Sequence, residues 1–139
     1  RTAAQENQFG QIVKKLYQTV PGIGFTSAMT LFTEIIDMKR FSNIEKLASY
    51  VGLVPSISAS GQTEKIRGLT VRKNKYLRYL LIESSWIAIK QDEALFEYYC
   101  NLSKRMNIKR AIISVARKLL NRIRHVWLTS EEYKTGFVR

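Results

Sequence analysis

Histidine, cysteine and proline are scarce in this 139-residue chain, which has one His, one Cys and two Pro. A lone Cys100 excludes an internal disulfide and any multi-cysteine zinc site. Its place in "FEYYCNL", at helical spacing, predicts a buried structural thiol. A lone His125 removes any two-histidine metal motif. With one of each, ordinary Ser/His or Cys/His catalysis has almost nothing to work with. No run approaches 18 apolar residues and no signal-type segment opens the chain, which argues against a spanning or secreted protein. The opening "RTAAQENQFG" has no Met and reads as the start of a fragment.

Acids are also few: 11 Asp and Glu face 23 Lys and Arg, a formal charge of +12. That excess is larger than solubility needs and points to a polyanionic partner, most simply nucleic acid. An anionic membrane surface is the other electrostatic option. The hydrophobic share of 45% is too high for a disordered tail. The length suits one domain with a core of its own.

The apolar residues recur at helical steps nearly throughout. Phe9, Ile12, Val13, Leu16, Tyr17 and Val20 predict a helix ending near "VPG", and "PGIG" (21–24) breaks the chain sharply. Ala28, Leu31, Phe32 and Ile35 give the next segment one apolar face. "SNIEKLASYVG" fits a short helix with Ser42 as N-cap and Gly52 at its end. Residues 53–70 read as an extended, turn-rich connection, with a short hairpin as an option. A long central helix is expected from Asn74, then one starting near Asp92, then "KRAIISVARKLLNRIRHVWL". In the last, Arg110, Arg117 and Arg124 fall seven apart, nearly on one line. The expected fold class is all-α: a multi-helical single domain with one long Ser/Gly-rich basic loop.

Three features carry potential chemistry. "LYQTVPGIGFTSAMTLF" matches a helix-hairpin-helix over residues 16–36. In such a motif Gly22, Ile23 and Gly24 bring backbone N–H groups close to a phosphate, gripping the backbone without reading bases. The second feature is basic clustering. Lys65, Arg67, Arg72, Lys73, Lys75 and Arg78 fall in one window with no acid among them. Lys104, Arg105, Lys109, Arg110, Arg117, Lys118, Arg122 and Arg124 fill another, again without an acid. Brought together, the two windows would form a phosphate-tracking groove with steep salt dependence. Tyr76, Tyr79, Trp86, Tyr98 and Tyr99 interleave with these charges, and their helical spacing reads as core rather than as stacking platforms. The third feature is "SISASG", where Ser56, Ser58 and Ser60 precede Gly61. A serine can attack a phosphodiester if its proton is removed and the developing charge is neutralised. Spacing alone favours a turn.

Carboxylates are the missing item for phosphoryl transfer on metals. Glu34 with Asp37, and Asp92 with Glu93 and Glu97, read as solvated or capping faces.

In order, "VPGIGFTSAMTLFTEI", "FSNIEKLASYVGLVPSISASG", "GLTVRKNKYLRYLLIESSWIAI" and "KRAIISVARKLLNRI" closely resemble the C-terminal transposase domain of DEDD-type bacterial insertion-sequence transposases. The resemblance runs over about residues 16–127. It implies a two-part enzyme, in which an N-terminal RuvC-like domain carries four acidic metal ligands and Mg²⁺. The C-terminal domain then carries a serine nucleophile beside a glycine: Ser60 here, with Ser58 as the fallback. It also implies DNA as substrate, a non-coding guide RNA, homo-oligomeric assembly and a bacterial cytoplasmic location at the nucleoid. Residues 1–18 would end a linking coiled helix, 19–128 form the transposase domain and 129–139 a tail. The fragment itself would hold no cofactor and would be inactive alone. Where the family has a glycine within "KRGN", this chain has Lys73 in "VRKNKYLR". The alternative is a non-catalytic helix-hairpin-helix module that binds nucleic acid, with Ser60 as a turn residue.

Overall fold

Each apolar row becomes a helix in the computed structural model, which describes residues 3–53 and 68–134, with side chains from 9–53 and 75–134. Among the described residues there are six α-helices and no strand. They are α1 (Ala3–Thr19), α2 (Phe25–Ile35), α3 (Ile44–Val51), α4 (Gly68–Gln91), α5 (Glu93–Ser103) and α6 (Ile108–Thr129), with a 3₁₀ turn at Met38–Arg40. The all-α class is therefore observed.

Helix ends follow local chemistry. Asp92 and Asn107 start α5 and α6, their side chains accepting from the N–H groups of Ala94 and Arg110. The start of α3 differs from expectation by one residue. Asn43, not Ser42, is the N-cap, and its Oδ1 accepts from Lys46 N–H at 2.9 Å. Ser42 instead turns its carbonyl toward Arg124. Gly52 closes α3 at φ +88, the left-handed geometry glycine adopts without a Cβ penalty.

The long helix also starts earlier than expected, at Gly68 rather than Asn74. Nothing in "GLTVRK" breaks a helix after its first residue. Lys73 stands inside this helix, where it is a better helix former than glycine.

The core is built from one face of every helix. Ile12, Val13 and Leu16 of α1 are buried together with Leu31, Leu47, Leu81, Leu119 and Ile123. α4 is the hub, packing against α2, α3, α5 and α6. Phe32 of α2 stacks on Trp127 of α6 with ring centroids 5.1 Å apart. Cys100 is half-buried on the flank of α5 rather than buried, because Leu95 and Leu102 take that helix's core face. No helix among the described residues is long and apolar enough to cross a membrane.

Candidate nucleic-acid interface

The α1–α2 turn is seated directly on the backbone of α4. Gly22 has φ +82, and a Cβ there would lie 2.3 Å from the carbonyl oxygen of Ser84. Only glycine satisfies both the left-handed backbone and that approach. The small side chains of Ser84, Ser85 and Ala88, all buried, leave α4 open enough to receive the turn. Gly22 N–H donates to Gln91 Oε1 at 3.1 Å, pinning the turn to the end of α4.

Gly22 N–H is thus already engaged. The α2 N-terminus beyond it begins at Gly24 with no side-chain cap among the described residues, and the first-turn N–H groups of a helix have no partner within it. An open hollow of about 440 Å³ lies at this point, lined by Tyr17, Pro21, Gly22, Gly24, Ile87 and Gln91 among others. Phe25 borders it, its ring 5.4 Å from that of Tyr17. Among the described residues no cation lines the hollow.

In sequence the serine-bearing stretch precedes α4. Ser56, Ser58, Ser60, Gly61, Lys65 and Arg67, and the optional hairpin, lie outside the described residues. The chain re-enters at Gly68, the first residue of α4. From Gly68 to Ser84 is about 24 Å along a helix rising 1.5 Å per residue. One rigid helix therefore separates the glycine turn from the segment that follows the serines. Arg72 and Lys73 lie within its first turns.

Arg78 of the first basic window and Arg117 and Arg124 of the second reach opposite ends of α3, and their charges are engaged there. Arg78 Nε donates to the Gly52 carbonyl at 3.1 Å, at the C-terminal end of α3, where a cation also suits the helix dipole. Arg117 pairs with Glu45 at 3.1 Å near the α3 N-terminus. Arg124 Nη2 reaches the carbonyls of Phe41 and Ser42, at 3.4 and 3.3 Å, just before α3. Lys118 lies 4.4 Å from the Tyr98 ring centroid. Burial, and then the charge of Arg122, hold its ammonium pKa below the usual lysine value. Lys75, Lys104, Arg105, Lys109 and Arg110 remain exposed. Among the described residues the basic surface is consequently smaller than a count of charges suggests.

Sequence reading missed two long-range bonds and the exposure of two tyrosines. Gln91 holds a glycine 69 positions away, and nothing local announces it. Asp92 and Tyr133 form a buried pair joining α5 to the segment after α6. Tyr76 and Tyr79 are exposed rather than core, whereas Trp86, Tyr98 and Tyr99 pack against the core as expected. The expectation failed at those two because α4 turns its buried side, Leu77 and Leu81, away from them.

Asp37 and Asp92 act as caps, each accepting a backbone N–H two residues on. Among the described residues no three of His, Cys, Asp and Glu converge as metal ligands. That donor set does not fit Mg²⁺, and no step below runs through a metal held by them.

Residues 14–100 match the family described as Transposase IS116/IS110/IS902. The matched span includes the α1–α2 turn, all three serines and the whole of α4. The chain belongs to this transposase family. It is 27% identical over 123 residues to the transposase for insertion sequence element IS1111A of Coxiella burnetii, covering 86% of this chain and 34% of that protein. It is 31% identical over 75 residues to the transposase for insertion sequence element IS1328 of Yersinia enterocolitica, covering 54% and 22%. A putative transposase of Sinorhizobium fredii, y4qE, is 38% identical over 65 residues, covering 47% and 17%. The chain thus spans about a third or less of each of these relatives. No solved structure matches it.

Proposed function

We propose that this chain is the DNA-handling, serine-bearing part of an insertion-sequence transposase. Ser60 is the nucleophile, with Ser58 as the fallback. Its Oγ forms the bond to phosphorus while the P–O bond to a deoxyribose oxygen breaks. The serine proton passes to a base, and the departing oxygen gains a proton. Lys65, Arg67, Arg72, Lys73 and Lys75 neutralise phosphate charge around that serine, and Arg110 extends the contact. Gly24 and the first turn of α2 grip a backbone phosphate, in the manner of a helix-hairpin-helix. Gly22 and Ile23 shape that turn. Arg78, Arg117 and Arg124 support the surface by holding α3.

The acidic metal ligands and Mg²⁺ belong in this reading to a RuvC-like domain elsewhere in the full-length protein. Residues 19–128 form the transposase domain, and α1 continues the linking helix. A homo-oligomer, a guide RNA and action at the bacterial nucleoid complete the assignment.

The observation that supports this most is the reach of the family match. It takes in the glycine turn and Ser60 together, along with α4, on which the glycine turn is seated. The test uses the full-length protein. Ser60→Ala is expected to abolish strand exchange and leave DNA affinity nearly unchanged. Loss of affinity with exchange retained would favour the non-catalytic binding module instead. DNA cleavage by the 139-residue chain alone with Mg²⁺ would overturn the two-part arrangement.

A further inference from the structure

Tyr76 and Tyr79 are the two most exposed aromatic side chains among the described residues, at 60% and 64%. The chain's other five tyrosines are packed or half-packed. Neither ring has a hydrogen-bond, ring–ring or cation–π partner among the described residues. They stand three apart on one side of α4, which places their Cβ atoms about 5–6 Å apart. Lys75, also exposed, precedes Tyr76 and lies one turn before Tyr79. The rings close the acid-free basic window that starts at Lys65, and Tyr76 stands about 12 Å along the helix from Gly68.

We infer that Tyr76 and Tyr79 form a stacking platform for unpaired DNA bases on the first half of α4. This inference rests on the DNA-handling reading above and deepens it. Two exposed planar faces beside the exposed Lys75, in a stretch of sequence rich in Lys and Arg, match a polyanion that also carries planar rings, because cations take the phosphates and the tyrosines take the bases. In an intact duplex every base face is covered by its neighbours at 3.4 Å spacing along each strand. Rings anchored 5–6 Å apart reach base faces only where the strand has been opened or stretched. Strand exchange at a serine requires such opening, since the broken strand must leave its complement. Exposed Glu83, one turn beyond Tyr79, ends the favourable row by repelling phosphate, so the platform is confined to the first half of α4. A protein partner is the poorer fit. Ile87 is the next exposed apolar side chain on this face, and Glu83 separates it from the tyrosines.

The experiment measures binding of the 139-residue chain to three short labelled DNAs at one low salt concentration. These are a single strand, a fully paired duplex and a duplex with a central unpaired bubble. The double variant Y76A/Y79A is expected to lose about tenfold or more on the single strand and the bubble. Its duplex affinity should stay the same, and Y76F/Y79F should behave as wild type because stacking does not use the hydroxyl. Circular dichroism melting establishes that the variants fold. An equal loss on all three DNAs would overturn the platform, as would no loss on any. A self-association lost in Y76A/Y79A with all DNA affinities unchanged would assign the rings to a second copy and also overturn it. If wild-type chain binds none of the three, the DNA-handling reading itself fails. If it binds them and only the tyrosine variants behave as wild type, the platform alone fails.

Discussion

The Tyr133 phenol donates a 2.6 Å hydrogen bond to Asp92 Oδ2, and both residues are buried. The other carboxylate oxygen accepts from Ala94 N–H at 3.0 Å and caps α5. Tyr133 N–H in turn donates to Thr19 Oγ1, whose hydroxyl is bonded to the Lys15 carbonyl. The segment after α6 thereby ties the end of α1 to the α4–α5 corner. Tyr133→Phe leaves a buried carboxylate short of one donor and is expected to cost about 1.5–3 kcal/mol. Asp92→Ala removes the cap as well and should cost more, because the cap alone contributes about 0.5–2 kcal/mol. Urea unfolding of both variants and the double variant checks this. The double variant should fall short of the sum, since the two changes remove one shared bond.

The same pair sets a pH dependence at the alkaline end. Burial first, then the hydrogen bond to Asp92 and that residue's charge, push the Tyr133 phenol well above its ordinary value, with Arg122 opposing them. The folded state therefore keeps a proton that the unfolded chain releases near pH 10. Stability from this group is fully present below about pH 10 and is lost as pH rises from there toward the folded value. The difference in unfolding free energy between wild type and Tyr133→Phe should be flat from pH 7 to 9. Above about pH 10 it should shrink by up to about 1.4 kcal/mol per pH unit. A difference that stays constant to pH 11 would refute the assignment.

Gly22 and Gly24 separate folding from binding within one turn. Gly22→Ala forces a Cβ against the Ser84 carbonyl at 2.3 Å and strains a φ of +82. It should destabilise the chain by about 2–4 kcal/mol, read as a fall in the thermal midpoint. Gly24 has an ordinary φ, and a Cβ added there would meet nothing within 4 Å. Gly24→Ala should change stability by less than about 1 kcal/mol, yet crowd the α2 N-terminus and weaken duplex binding. Unchanged DNA affinity in Gly24→Ala would remove the turn from the interface.

Helices, the glycine turn and the charge excess were legible because each is written in local spacing. Leu16, Leu31 and Leu119 fall on apolar rows that a 3.6-residue period reveals directly. The side of α4 that faces solvent was not legible. Its helix is apolar around much of its circumference, so Tyr76 and Tyr79 read as core until α2, α3, α5 and α6 had claimed the other side. The start of α4 at Gly68 was hidden because "GLTVRK" carries both turn-like and helix-compatible residues, and tertiary packing decides between them. The Gln91–Gly22 and Tyr133–Asp92 bonds join residues 69 and 41 positions apart, which no local pattern can encode.

Arg110, Arg117 and Arg124 share one spacing but have three different surroundings, and these set three outcomes. Arg110 is exposed, and no hydrogen bond or ion pair of its side chain is seen among the described residues. Arg110→Ala should leave stability within about 0.5 kcal/mol. If Arg110 meets a phosphate, the slope of log affinity against log salt should drop by about one. Arg117 pairs with an exposed Glu45, and such pairs contribute about 0.2–1 kcal/mol. Arg117→Ala should thus be mild in unfolding. Arg124 is half-buried and serves two loop carbonyls ahead of α3. Its loss removes both bonds, so Arg124→Ala should cost about 0.5–1.5 kcal/mol. Urea unfolding and a salt series on duplex DNA, run on all three variants, check the ordering. Arg124 should lead in stability and Arg110 in salt dependence. A salt slope reduced equally by all three would mean that Arg117 and Arg124 leave their partners on α3 when DNA binds.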